Sequence, residues 1–68
     1  MLKSYKGKVI SIRKDKNYNG ERIAKVDIKP DPMYFVVKKG MEVNKGDVVE
    51  ITKNENSMRY ESVEIISQ

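Results

Sequence analysis

Met33-Tyr34-Phe35-Val36-Val37-Lys38-Lys39-Gly40-Met41-Glu42-Val43-Asn44-Lys45-Gly46-Asp47-Val48-Val49-Glu50-Ile51 is the stretch on which the fold turns. Its first six residues alternate. Met33, Phe35 and Val37 fall on one parity, and Tyr34, Val36 and Lys38 on the other, the period-two pattern of a strand. Alternation returns over residues 48–53, where Val49 and Ile51 oppose Val48, Glu50 and Thr52. Between the two strands, residues 41–45 are too short for more than one helical turn. Asn44-Lys45-Gly46-Asp47 has the composition of a turn, which leaves Met41 and Val43 to tuck beneath the sheet.

The pattern extends in both directions. Upstream, residues 22–29 alternate, with Ala24, Val26 and Ile28 facing the core and Ile23, Lys25, Asp27 and Lys29 facing out. Pro30-Asp31-Pro32 ends that strand, since proline cannot donate to a ladder. Residues 4–14 form the first strand. Apolar residues on both parities there predict a bend or bulge, with Gly7 available as the kink. Asn19-Gly20 tolerates the positive φ of a tight turn between the first two strands. Downstream, Asn54-Glu55-Asn56-Ser57 is a polar turn. A fifth strand over residues 58–66 sets Val63 and Ile65 against Met58, Tyr60 and Ile66.

Five strands with no sustained 3.6-residue period predict an all-β domain over residues 1–68, a small five-stranded antiparallel barrel. Closure also removes exposed strand edges. Two barrels compete. An OB fold places its connecting helix between strands three and four, where residues 40–47 fall. An SH3-like barrel places its helical turn between strands four and five, where the chain has only residues 54–57. The OB-like barrel, with its helix shrunk to a turn, is favoured and the SH3-like barrel is the alternative.

Composition removes most enzyme chemistry. With no Cys and no His, there is no thiol nucleophile, imidazole base, disulfide or ordinary zinc site. The five serines lack a histidine partner, and no paired spacing brings two carboxylates together. Gly40 and Gly46 lack the Lys-Ser/Thr of a phosphate loop. Asp27, Asp31 and Asp47 do not have the spacing of a calcium loop. No catalytic residue, metal or cofactor is therefore expected. The longest apolar run, Met33 to Val37, is far short of the roughly 20 residues of a membrane helix. No signal peptide is expected either, and lack of Cys suits the cytoplasm.

Charge is divided unevenly. Residues 1–39 hold 11 Lys/Arg against 4 Asp/Glu, and residues 40–68 hold 3 against 6, so +7 meets −3 within a net +4. A positive field on one side of a small domain favours a polyanion. If Phe35 is core, parity exposes Tyr34 beside Val36 and Lys38, next to Ile23, Lys25, Asp27 and Lys29. Such a face combines a ring that stacks on any base with cations that neutralise phosphate. The candidate nucleic-acid-binding residues are Tyr34 and Tyr18 for stacking and Lys25, Lys38, Arg13, Lys16 and Arg22 for phosphate. Lys53 is added by the strand four–five loop, with Arg59 and Tyr60 just beyond it. Each ring has a structural alternative: Tyr34 half-buried, Tyr18 propping its loop, Tyr5 and Tyr60 at the core edge.

Gly46-Asp47-Val48-Val49-Glu50-Ile51 and Gly7-Lys8-Val9 resemble the approach to the fourth strand and the opening of small OB-fold RNA-binding proteins of the bacterial translation initiation factor one type. The chain departs from that family in lacking its Arg-rich segments and in its Pro-x-Pro turn. The resemblance implies an OB fold and RNA binding.

The leading expectation is non-enzymatic binding of single-stranded DNA or RNA with low sequence specificity. The alternative is a protein-interaction or assembly module, such as an adaptor or a small phage or mobile-element protein acting on a host partner through Ile23, Tyr34 and Val36. Either way the expected state is a monomer or weak homodimer with no membrane association.

Overall fold

A computed structural model describes residues 1–68 except Asn19 and Met58, and of Tyr18 only the backbone. The expected stacking role of Tyr18, the Asn19 half of the first turn and the Met58 position therefore lie outside the described residues. Five strands form, β1 (Leu2–Lys14), β2 (Arg22–Asp27), β3 (Met33–Val37), β4 (Val48–Asn54) and β5 (Tyr60–Ser67). They make one antiparallel sheet in the order β3-β2-β1-β4-β5. Had the third and fourth strands been joined as a hairpin, the SH3-like alternative would stand. Instead β4 crosses over to β1. This is the Greek-key order of an OB-like barrel, curled and left open between β3 and β5.

β1 serves both halves of the sheet. Leu2 to Lys8 pair with β4, and Lys8 to Lys14 pair with β2. Gly7 lies at the handover. A Cβ there would come 2.6 Å from the Asp27 carbonyl oxygen and 2.8 Å from Ile28 Cγ1, so only glycine permits so close a backbone approach. The irregularity predicted at Gly7 falls instead at Ile10, which the pairing skips between Val9 and Ser11. The skip returns Ile12 to the core side and leaves Ile10 exposed. β5 skips Glu61 and Ile66 in the same way, which turns Tyr60 toward the side of Val63 and Ile65.

The core is thin and built as parity requires. Phe35, Val37, Ala24, Val26, Ile28, Val49, Ile51 and Val9 are buried, with Val43 brought up from the connector. Burying a Val, Ile or Phe side chain contributes about 1.5–3 kcal/mol, so this handful of residues sets the stability. The connector stays non-helical. It is pinned to β1 by Val9 N donating to Asp47 O and Gly46 N donating to Val9 O, both 2.8 Å. Asp47, buried, accepts from Asn44 N through Oδ2 at 2.8 Å and so locks the turn.

The β1–β2 loop carries a 3-10 turn at Lys16–Tyr18. Asp15 Oδ1 accepts from Asn17 N, and Gly20 takes φ +78°, as a tight turn needs. β2 ends at Asp27 rather than Lys29, because Lys29–Pro30 and Pro32 turn the chain away. No helix among the described residues is long and apolar enough to cross a membrane.

Candidate functional site

Register decides which side chains meet on the outer face of β1, β2 and β3. Two rows cross it, Ser11–Lys25–Tyr34 and Arg13–Ile23–Val36. Side chains directly opposed in an antiparallel pair stand about 4.5–5.5 Å apart at Cβ. Lys25 and Tyr34 are therefore neighbours by pairing alone, with no loop needed to bring them together. Tyr34 is 52% exposed although both its strand neighbours point partly or wholly inward.

The open border of this face is the β3–β5 seam. There Val36 N–H, directed away from β2, donates to the Tyr60 hydroxyl at 3.1 Å. One side chain thus satisfies a strand edge that no strand covers. Beside it lies a groove of about 510 Å³, lined by apolar Ile23, Phe35 and Val36, by the rings of Tyr34 and Tyr60, and by the cations Lys38 and Arg59. Among the described residues no carboxylate lines it. Nothing in such a groove repels an anion, and its apolar and aromatic part suits a flat ring.

The expected binding residues do not all converge. Tyr34, Lys25, Arg13 and Lys38 share the face or its groove. Arg22 does not. It has the parity of Ala24 and lines a separate hollow of about 340 Å³ with residues 41–44. Lys16 is exposed on the loop turn, outside the groove. Lys29, expected on the outer face, has left the strand and reaches Asp27 Oδ1 at 3.7 Å, a solvent-exposed pair of little energetic weight. Tyr5 packs against the core with Lys3 Nζ 5.5 Å from its ring centre, as a core-edge residue should.

Arg59 and Tyr60 are the groove residues that the sequence placed merely beyond a loop. Tyr60 does pack at the core edge, as its structural alternative held, yet its hydroxyl also reaches the groove. The bulge at Glu61, which has no compositional signal, is what turns it there. A second pairing was also hidden. Glu50 stands directly opposite Glu64 on the outer face of β4 and β5, so two carboxylates do meet, with Lys6 opposite Glu50 on the other side. Among the described residues no group of three or more His, Cys, Asp or Glu could hold a metal ion.

Fold and site together define a small antiparallel barrel-like domain with a basic, aromatic outer face. Comparisons with protein-family models, with curated proteins and with solved structures found no match to this chain.

Proposed function

We propose that this chain is a non-enzymatic cytoplasmic binder of single-stranded DNA or RNA with little sequence preference, acting through the outer face of β1, β2 and β3. The observation that carries the reading is the exposed Tyr34 paired across the sheet with Lys25, beside a groove that holds Lys38 and Arg59 and no acid. Stacking on tyrosine is indifferent to base identity, and Lys/Arg contacts are indifferent to sequence. The strand order makes β2 and β3 neighbours on one face of an OB-like barrel, and such barrels use that face to bind oligonucleotides.

Fluorescence anisotropy with mixed-sequence single-stranded DNA and RNA, at low and near-physiological salt, tests it. Binding that falls steeply with salt is expected. Tyr34→Ala is expected to weaken it by about 1–3 kcal/mol. Charge reversal of Lys25 and Lys38 together should flatten the salt slope. Absence of binding at low salt would refute the proposal.

A further inference from the structure

Tyr34 and Tyr60 belong to two hollows, not one. Besides the groove with Lys38 and Arg59, they line a smaller one of about 260 Å³ that includes Pro32, Met33 and Lys53. The two hollows follow one another along the open β3–β5 seam, with the tyrosine pair common to both and a cation in each. Among the described residues no carboxylate lines either one. The acid-rich outer surface of the β4–β5 hairpin, with Glu50 opposite Glu64, lies on its other face. An extended polyanion therefore meets an unopposed cation at each end of the seam and aromatic surface in its middle.

The Tyr60 hydroxyl adds a directional feature. Its oxygen accepts the Val36 N–H, and among the described residues that is its only hydrogen bond. A phenol oxygen that accepts still has its own proton to give. The strand edge is already satisfied by the oxygen, so a ligand need not break that bond to receive the proton.

We infer, resting on the nucleic-acid reading above, that the β3–β5 seam is the track of the bound single strand. It seats two consecutive nucleotides, one in each hollow. Tyr34 stacks on a base, and Tyr60 donates its hydroxyl proton to the edge of a base while holding β3 through Val36. Lys38 and Arg59 neutralise the phosphate at one seat and Lys53 at the other. The strand then follows the β3 border of that outer face, with Lys25 flanking Tyr34, rather than crossing the face toward β1, and Lys53 becomes a binding residue although it belongs to the acidic half of the chain.

The test is amide NMR of the full chain titrated with a mixed-sequence single-stranded DNA of eight nucleotides, with anisotropy of the same DNA on Tyr60→Phe and Lys53→Gln. The expected result is saturating shifts of the Tyr34 and Val36 amides and of residues 53 and 60. A roughly three- to ten-fold loss of affinity is expected for each variant, since each removes one contact. The shift map of the unaltered protein stands by itself if Tyr60→Phe perturbs the seam. Shifts confined to Ser11, Arg13 and Lys25, or unchanged affinity of both variants, would overturn the track and leave the nucleic-acid reading standing. Failure of the DNA and of its RNA counterpart to bind at low salt would overturn both.

Discussion

The β2–β3 hairpin and the β4–β5 hairpin are of similar length and lie at opposite ends of one sheet, yet they are made differently. The first supplies Ala24, Val26, Ile28, Phe35 and Val37 to the core. The second supplies Val49 and Ile51, both from β4, while Val63 and Ile65 of β5 are only half-buried. Outward, the first shows Lys25 beside Tyr34, and the second shows Glu50 against Glu64 and Thr52 against Ser62. A well-anchored hairpin can spare an exposed aromatic, because its inner face already holds it in place. The looser hairpin has no such surplus, and among the described residues its exposed ones, apart from Ile66, are polar. Position in the sheet does not separate the two; how fully their inward apolar residues are buried does.

The largest expected effect tests that difference in anchoring. Phe35→Ala removes a fully buried ring and should cost about 3–5 kcal/mol. A 68-residue domain without cross-links has only about that much to lose, so the variant should be unfolded by circular dichroism. Val63→Ala, from half-buried β5, should fold and lose about 1 kcal/mol in a urea titration. Equal losses would mean that the two hairpins hold the core alike.

Next in size is the strand the hairpins share. Gly7→Ala forces a methyl group against the Asp27 carbonyl, Ile28 and Val26. It should cost about 1–3 kcal/mol, whereas the same exchange at an unconfined site of ordinary backbone stabilises by about 0.4–1 kcal/mol. A neutral result would show that β1 does not approach β2 so closely. The smallest effect sharpens the electrostatic contrast. Glu64→Lys replaces a like-charge pair opposite Glu50 with an attractive one and should stabilise by about 0.2–1 kcal/mol, less at high salt. Destabilisation would show that Lys6, on the other flank of Glu50, already satisfies it.

Much of this architecture was legible in the sequence. Phe35 and Val37 against Tyr34 and Val36 is a pattern that only a strand with one buried face explains, and proline and glycine clusters mark where strands stop. The face carrying Tyr34 and Lys25 follows from the same parity. The bulges were not legible. Skipping Ile10, Glu61 or Ile66 changes which face later residues take, but any residue type can occupy such a position, so nothing in the composition announces it. Register across distant strands was equally hidden: Glu50 and Glu64 meet, and Tyr60 reaches Val36, only once the pairing of β4 with β1 has been fixed. Arg22, expected with Arg13, Lys16 and Tyr18 to serve the strand one–two loop, leaves that group for a simpler reason. The rule that exposes Lys25 sends Arg22 to the side of Ala24, and a residue at a strand's first position obeys its strand rather than its loop.

The divided pairing of β1 bears on how the molecule comes apart. Leu2 to Lys8 belong to β4 and Lys8 to Lys14 to β2, so neither hairpin can detach without stripping half of one continuous strand of its hydrogen bonds. Separate local openings of the two ends are thereby discouraged, and the domain should lose its structure as a single cooperative unit. In native-state hydrogen exchange, buried amides on either side of that handover, Ala24 in β2 and Val49 in β4, should converge on one opening free energy.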